Sequence, residues 1–310
     1  MVQAIKTDVH FPNLGLSFHD FGNGISIFGF NIAYYGIIIM CGMLLGVLLA
    51  RHRAKISGQN VELYEDFALY AILFAVVGAR LYYVIFAWDS FKDNLWSIFD
   101  LRSGGLAIYG GVIGGVLTGI VYAKVKKVNL GLLGDTCMPA MLLGQIIGRW
   151  GNFFNREAFG KYTDGLFAMQ LDLRAVSSDY TCSLATLESR YAGKEEALQN
   201  ILEIRNNTVL VDGIEYIQVH PTFLYESLWN LVVMLLLILY TPKKKFDGEI
   251  LFLYFVGYGL GRVWIEGLRT DQLFLWGTPF AVSQLLSALL VAGGLIAIIV
   301  TRIKRRKQAK

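Results

Sequence analysis

Long apolar stretches separated by short polar segments run along most of the chain. A helix that crosses a bilayer needs about 20 mostly apolar residues, and the pattern provides seven segments of that kind. Their predicted bounds are 26–50, 66–88, 105–124, 130–151, 222–241, 248–267 and 280–301. The pattern therefore predicts an all-α polytopic membrane protein with seven transmembrane helices.

Composition supports this class and excludes others. Of the 310 residues, 55% are hydrophobic and 17% are charged, whereas soluble domains carry roughly 25% charged residues. The net charge of +4 is small, and no basic segment has the interleaved aromatic residues of a nucleic-acid surface. The three cysteines are scattered and odd in number, which argues against a disulfide framework. No His and Glu have zinc-site spacing, so we expect neither a metal nor another cofactor.

Lysine and arginine are unevenly distributed between alternate loops. Four segments hold more than half of the 28 basic residues: 51–55, 124–127, 243–245 and the tail from Arg302. Because cytoplasmic loops carry the excess of Lys and Arg, we expect the N-terminus outside and the C-terminus in the cytoplasm. Seven spans satisfy this orientation.

A long polar insert between the fourth and fifth predicted spans then lies outside. Residues 190–207 are typical of a polar helix, and residues 208–219 alternate around Asp212-Gly213, a pair that favours a hairpin turn. We therefore expect a small mixed α/β extracytoplasmic head domain. The predicted division of the chain is 1–151 (N-terminal arm and four spans), 152–220 (head) and 221–310 (three spans and the basic tail).

Ionisable side chains inside the predicted spans carry the main functional signal. Each costs about 2.5–3.5 kcal/mol at a helix centre on insertion scales. At about 1.5 Å per residue from the inner surface, Arg80 and Arg262 lie about 21 Å deep and Arg149 about 28 Å deep. Glu266 and Arg269 follow at about 27 and 31 Å. Because the hydrocarbon core is about 30 Å thick, all five fall in its outer third or at the outer interface.

Other polar groups fall at the same depth, so that six spans contribute to one layer. These are Tyr34, Tyr109, His220 and Glu226.

The arginines of this layer predict a bound anion. Arg262, Glu266 and Arg269 share one helix face, and an ion pair between Arg262 and Glu266 explains that pair equally well. Arg149 has no carboxylate one turn away on its cytoplasmic side. We therefore expect buried arginines with few acidic partners, completed by an anion. Arginine matches phosphate through paired donors, and lipid phosphate is abundant at this depth.

The end of the fourth span carries Arg149, Asn152 and Asn155 at intervals of three, with Glu157 just beyond. The asparagines could hold a ligand or end the helix in a plain turn, and spacing does not decide between these alternatives.

The glycine run from Gly104 to Gly115 lacks the Gly-Lys-Ser/Thr of a nucleotide-binding loop. The spacing of Gly111, Gly115 and Gly119 instead predicts close helix packing.

Several blocks of the chain resemble the prolipoprotein diacylglyceryl transferase family. Segment 148–160 matches every fixed position of the family signature Gly-Arg-x-Gly-Asn-Phe-x-Asn-x-Glu-x-x-Gly. Blocks 220–226 and 258–269 follow in the family's order, and 78–80 and 104–111 are also similar. The resemblance spans about residues 25 to 300.

The resemblance implies an enzyme of the bacterial cytoplasmic (inner) membrane that uses phosphatidylglycerol. Its diacylglyceryl group would move to the lipobox cysteine of a preprolipoprotein, and glycerol phosphate would leave. The resemblance implies catalytic roles for Arg149, Arg262, Tyr109, Glu157 and Glu266. It implies substrate-binding roles for Asn152, Asn155, Arg80, Tyr34, Tyr258, His220, Glu226 and Arg269.

One position departs from the family pattern. Many members carry histidine, a proposed base, where this chain has Tyr109. Tyrosine has a reference pKa near 10 and is a poor base at neutral pH. Either another group accepts the thiol proton, or Tyr109 only donates a hydrogen bond.

Two rival functions fit a charged membrane layer: transport of an anion or lipid, and lipid binding without turnover. A transporter would place charges near the midplane, often within repeats. No internal repeat is visible here, and the charges lie toward the outside.

Overall fold

The computed structural model describes residues 6–28, 30–101, 104–274 and 281–308. Most of this part of the chain is helical. Its α-helices are α1 (Tyr34–Ile56), α2 (Val61–Phe86), α3 (Ile108–Lys126), α4 (Leu130–Asn155), α5 (Leu184–Arg190), α6 (Glu195–Asn206), α7 (Thr222–Tyr240), α8 (Glu249–Leu268) and α9 (Val282–Gln308). Residue 280, the predicted start of the last span, lies outside the described residues.

Six helices are long and apolar enough to cross a membrane: α1, α2, α3, α4, α9, and α7 with its extension to Lys243. This confirms a mostly helical, polytopic membrane protein. The remaining predicted span coincides with α8, which carries Arg262 and Glu266 and is therefore less uniformly apolar. The count of seven spans stays a prediction.

The predicted start of the first span at residue 26 is wrong. Helix α1 begins at Tyr34, and the preceding residues form strands β3 (Gly24–Ile27) and β4 (Phe30–Ala33). Apolar residues alternate with small or polar ones in both strands, which is the period of a strand rather than a helix. Summing hydrophobicity over a window hides that period.

The described residues also form a five-stranded antiparallel sheet. Its five strands are β1 (Thr7–Phe11), β2 (Leu16–Phe21), β5 (Met169–Asp172), β6 (Val209–Val211) and β7 (Ile214–Val219), in the order β2-β1-β5-β7-β6. Strands β6 and β7 form the predicted hairpin, and Asp212 and Gly213 adopt left-handed φ angles of 49° and 79° at its turn.

The core of this sheet also holds the ends of two long helices. Leu187 of α5 and Ile204 of α6 are fully buried against the strands, and Phe153 of α4 and Phe223 of α7 belong to the same cluster. Each buried side chain of this size contributes about 1.5–3 kcal/mol. The cluster therefore fixes the end of α4 and the start of α7. Because β1 and β2 come from the N-terminal arm, the sheet joins that arm to the insert.

The chain divides into two compact units. The first unit is Met1–Leu45, Met141–Thr241 and Phe252–Lys310, and the second is Gly46–Ala140 and Pro242–Leu251. The sheet lies in the first unit, and helices α2 and α3 lie in the second.

Close packing of α2 and α3 depends on glycines of the second unit. A Cβ at Gly110 would overlap the carbonyl oxygen of Gly78, and one at Gly114 would overlap that of Phe74. A Cβ at Gly111 would only make ordinary contact, and one at Gly115 would meet nothing within 4 Å. The predicted contact through Gly111 and Gly115 is therefore wrong by one residue. The run contains two overlapping small-xxx-small patterns, and spacing does not distinguish them.

A carboxylate from α4 caps the start of α8 within the second unit. Asp135 is 2% exposed and accepts hydrogen bonds from the backbone N–H groups of Gly248 (2.9 Å) and Leu251 (3.0 Å). Lys244 donates to the same carboxylate at 2.9 Å. These bonds use N–H groups that a helix start leaves unpaired, and they hold α8 at its first turn.

Two neighbouring glycines of α3 provide a test of the helix contact. We expect Gly114→Ala to lower the free energy of unfolding by roughly 1–3 kcal/mol, because overpacking forces the helices apart. Gly115→Ala should be neutral or slightly stabilising, because alanine is the better helix former. Thermal unfolding in detergent measures both, and equal melting temperatures for the two variants would contradict the assigned contact.

Candidate active site

Two arginines from different helices meet one carboxylate in the first unit. Glu226 of α7 is 2% exposed. The Nη2 atom of Arg149, from α4, lies 2.6 Å from its Oε1 atom. Arg262 of α8 donates through Nη1 to both oxygens of Glu226, at 3.0 and 3.1 Å. A single carboxylate therefore holds two guanidinium groups together.

Contacts between backbone and side chains fix the three helices around this carboxylate. Ser227 donates to the carbonyl of Ile146 at 3.2 Å, which ties α7 to α4. The indole of Trp229 donates to the carbonyl of Gly257 at 2.8 Å, which ties α7 to α8. Both donors closely follow Glu226 on α7, so the position of its carboxylate follows from helix packing.

The charged cluster continues along α8. Nη2 of Arg262 lies 2.6 Å from Oε2 of Glu266, one turn away. Arg269 lies 4.0 Å from the same carboxylate and donates to Asp271 at 2.8 and 2.6 Å. The cluster thus matches Arg149, Arg262 and Arg269 with three carboxylates.

The expectation of few acidic partners is therefore wrong. Arg149 has no carboxylate one turn away in its own helix, but it pairs with Glu226 of α7, a helix that begins only at Thr222. Asp271 lies beyond the end of α8, so a count of the charged residues within each predicted span does not include it. The open alternative of an ion pair between Arg262 and Glu266 is confirmed.

Arg149 keeps unused donors despite its ion pair. Its contact with Glu226 is close but poorly aligned for a hydrogen bond, and it makes no aligned hydrogen bond to any described residue. Its side chain is 20% exposed. Guanidinium N–H groups that carry no aligned partner can bind the oxygens of an anion.

A second network lies just after Arg149 in the chain. The side-chain amides of Asn152 and Asn155 both donate to Oε1 of Glu157, at 3.1 Å each. The Oε2 atom of Glu157 has no partner among the described residues. The flanking residues Arg156 and Ala158 adopt left-handed φ angles of 52° and 57°, which are rare without glycine. The turn therefore holds this carboxylate in a fixed and uncommon backbone setting.

The loop after Glu157 is joined to the ends of α7 and α8. Gly160 donates to the carbonyl of His220 at 2.9 Å, and Lys161 donates to that of Leu268 at 2.8 Å. A Cβ at Gly160 would lie 2.8 Å from the Cβ of His220 and 2.9 Å from the oxygen of Leu268. Only glycine fits this crossing without displacing its neighbours, so the signature glycine has a packing role.

Two groups outside the membrane spans have shifted acidities. Burial would raise the pKa of Asp271, but the hydrogen bonds from Arg269 outweigh it and the pKa lies below its usual value. Burial lowers the pKa of the His220 imidazole, which lies 3.2 Å from the hydroxyl of Tyr225. Asp271 is therefore ionised and His220 neutral at neutral pH.

Arg80 lies in the second unit, where its donors are occupied by backbone. It donates five hydrogen bonds of 2.7–3.0 Å to the carbonyls of Ser97, Ile98, Asp100, Gly104 and Gly105. The guanidinium also lies over the ring of Phe91, 5.0 Å from its centroid. Arg80 thus organises the loop between α2 and α3.

The predicted tyrosines lie in different surroundings. Tyr109, in the first turn of α3 in the second unit, packs 6.4 Å from the ring of Tyr82. In the first unit, Tyr34 packs against Phe154 at 5.2 Å. Tyr258 precedes Arg262 by one turn of α8, and stacks on Tyr254 at 5.5 Å.

Two residues near the cluster, Tyr35 and Arg156, are not among the predicted site residues. The ring of Tyr35 packs directly on Gly151, two positions after Arg149, because a glycine leaves room for it. Arg156 is 4% exposed and donates to the carbonyls of Thr7, Phe21 and Phe154, which ties the N-terminal arm to the end of α4. Gly151, a glycine two positions after Arg149, was the available signal that an aromatic ring packs there.

Within the described ranges, no three His, Cys, Asp or Glu side chains come together in a way that could hold a metal ion.

These features define a class: a polytopic membrane protein with a charged cluster of arginines and carboxylates built from the ends of its apolar helices. A family model described as prolipoprotein diacylglyceryl transferase matches residues 23–300. The chain belongs to this family of membrane transferases.

Individual relatives cover most of the chain at similar identity. A protein of Clostridioides difficile (strain 630) is 38% identical over 88% of this chain and 92% of its own length. One of Clostridium novyi (strain NT) is 39% identical over 92% of this chain and 97% of its own length. Both are named phosphatidylglycerol--prolipoprotein diacylglyceryl transferase.

The shared carboxylate gives a direct test of the cluster. Glu226→Gln keeps the side-chain size but leaves two buried arginines short of a counter-charge. Removing one partner of a buried pair costs roughly 3–5 kcal/mol, so we expect a markedly lower melting temperature in detergent. Glu188→Gln, at an exposed position of α5, is the control and should melt like the unaltered protein. A Glu226→Gln variant as stable as this control would contradict the arrangement.

Proposed function

We propose that the protein transfers the diacylglyceryl group of phosphatidylglycerol to the lipobox cysteine of preprolipoproteins. The thiol sulfur bonds to a glyceryl carbon, the bond from that carbon to the phosphate oxygen breaks, and glycerol phosphate leaves. The product is a thioether. Membership of the family and the printed names of the relatives support the reaction. The structural observation that most supports the proposal is that Arg149 and Arg262 share the carboxylate of Glu226.

We place this reaction at the outer face of the bacterial cytoplasmic membrane. The basic loops favour seven spans including α8, with the N-terminus outside and the tail inside. The head of residues 152–220 would then be extracytoplasmic, between the span regions 1–151 and 221–310. The signature turn and the arginine cluster would lie near the phosphates of the outer leaflet.

Arg149 and Arg262 are the proposed binding groups for the lipid phosphate. As the carbon–oxygen bond breaks, negative charge grows on the leaving phosphate, and preorganised donors stabilise it most where water is excluded. Arg149 has donors without aligned partners, and both arginines are partly exposed, at 20% and 14%. The phosphate therefore adds to the existing ion pairs and does not need to displace them.

The carboxylates of the cluster hold the arginines in place. Glu226 sets the separation of Arg149 and Arg262, and Glu266 orients Arg262 along α8. Arg269 is itself paired with Asp271, so we assign it the outer rim of the binding site. Asn152, Tyr34, Tyr258 and His220 complete the proposed surroundings of the head group.

Glu157 is the proposed acceptor of the thiol proton. Its Oε1 atom is occupied by Asn152 and Asn155, which leaves Oε2 open to a substrate. The side chain is exposed and has no arginine or lysine partner in the described part of the chain. Tyr109 is assigned only a hydrogen bond to substrate, and Arg80 a positioning role through its loop.

Reconstitution tests the reaction. Purified protein with phosphatidylglycerol vesicles and a lipobox peptide should form a thioether-linked diacylglyceryl peptide and glycerol phosphate, both detectable by mass spectrometry. Arg149→Ala should lower turnover by about 10²–10³, the size of effect seen when a preorganised donor is lost.

The matched control is Arg51→Ala, which removes an exposed arginine of α1 paired with Glu65. Such surface pairs contribute about 0–1 kcal/mol, so turnover should be unchanged. An Arg149→Ala protein that melts normally and keeps full turnover would remove Arg149 from the phosphate site. If the protein forms no thioether product from lipid and peptide that are competent substrates, the proposed function is wrong.

The proton acceptor is tested by the dependence of rate on pH. Glu157→Gln should turn over slowly at neutral pH and recover as pH approaches the thiol pKa of about 8.5, where the peptide needs no base. Tyr109→Phe should keep the profile of the unaltered enzyme. If instead only Tyr109→Phe loses turnover at neutral pH and recovers it at higher pH, the acceptor of the thiol proton is Tyr109.

A further inference from the structure

A short hairpin precedes α1 and forms a sheet of its own. Strands β3 and β4 pair with each other and are not part of the five-stranded sheet. In their register, Ile25 lies opposite Ile32, and Ile27 lies opposite Phe30. Directly opposed residues of an antiparallel pair point to the same face. One face of the hairpin is therefore made of four large apolar side chains.

The other face has a different character. Ser26 lies opposite Asn31, and Gly24 lies opposite Ala33. The hairpin is thus amphipathic, and no charged residue occurs between positions 22 and 33.

The apolar face is uncovered by the described protein. Its four side chains are 41–62% exposed, and Phe28, in the turn of the hairpin, is 97% exposed. Contiguous exposed apolar surface marks an interaction site, and an isolated two-stranded hairpin is marginal in water. Another phase or partner must cover this face.

The position of the hairpin identifies what covers it. The backbone N–H of Tyr34, the first residue of α1, donates to the carbonyl of Asn23 at the base of the hairpin, at 2.9 Å. The hairpin is therefore joined directly to the start of α1, a candidate membrane span that carries exposed apolar side chains. An uncharged apolar surface at the end of a span fits the acyl boundary of the bilayer.

We propose that the β3–β4 hairpin lies in the outer interface of the bilayer, with Ile25, Ile27, Phe30 and Ile32 against the acyl chains. Each strand is about 13 Å long at 3.3 Å per residue, so the hairpin lies along the interface and does not cross the core. Ser26 and Asn31 face the head groups. The proposal concerns the bilayer as a partner and is independent of the transferase reaction.

This contact also bears on the signature turn. Phe21, just before the hairpin, packs against Phe153 and Phe154 at 5.2 and 4.9 Å, and lies 5.3 Å from the guanidinium of Arg156. The hairpin is thus fastened to the end of α4. A hairpin held at the interface fixes the depth of the turn that follows Arg149.

Spin-label accessibility of the full-length protein tests the placement. Single cysteines replace Ile27 or Asn31 in a chain whose three native cysteines are alanine, and the protein is placed in phosphatidylcholine nanodiscs. The ratio of collisions with oxygen to collisions with a water-soluble nickel chelate should be several-fold higher at Ile27→Cys than at Asn31→Cys. Because the hairpin is uncharged, adding phosphatidylglycerol should leave the ratio unchanged.

Phe28→Cys provides a second variant that disturbs no packing and should also be rich in oxygen collisions. Equal exposure of both faces to the nickel chelate would overturn the proposal. Shielding of position 27 from both reagents would mean that protein covers the face and would also overturn it. A lipid-like signal that appears only after a lipobox peptide is added would assign the face to peptide instead. None of these readouts requires turnover, so failure of this placement can be distinguished from failure of the proposed reaction.

Discussion

The charged cluster depends on one carboxylate shared between two guanidinium groups inside an apolar helix bundle. Burying a single charge is costly, and a buried pair is favourable only with good geometry. Glu226 meets this requirement for Arg149 and Arg262 at once, through contacts of 2.6–3.1 Å. Without it, two cations from α4 and α8 would repel each other. With it, the two guanidinium groups are held side by side.

The surrounding fold fixes the positions of these groups relative to one another. The head core buries Phe153 and Phe223, which fixes α4 and α7 near Arg149 and Glu226. The loop through Gly160 then ties the start of α7 to the end of α8 through backbone hydrogen bonds. Sites held by rigid elements and supporting hydrogen bonds are more accurately placed than sites on free loops. The core of the sheet therefore holds the end of α4 and the start of α7 in place.

Much of this architecture could be predicted from the chain because membrane burial leaves a strong signal. The long helices and the Asp212-Gly213 hairpin were predicted near their observed positions. The site was only partly predictable. Depth counting brought Arg149, Arg262 and Glu226 to one layer, but it has no information on which helices are neighbours, so the pairing through Glu226 was missed. The glycine contact was wrong by one residue for the same reason, because it depends on the packing partner. The start of α1 was wrong for a different reason, because hydrophobicity summed over a window hides the period of the two strands before it.

The central claim is that the arginine pair held by Glu226 receives the lipid phosphate. An experimental structure of the protein with bound phosphatidylglycerol tests it most directly. We expect phosphate oxygens within about 3 Å of guanidinium nitrogens of both Arg149 and Arg262, with Glu226 still in contact with the two side chains. A phosphate bound away from these arginines, or one that displaces Glu226 from them, would contradict the account.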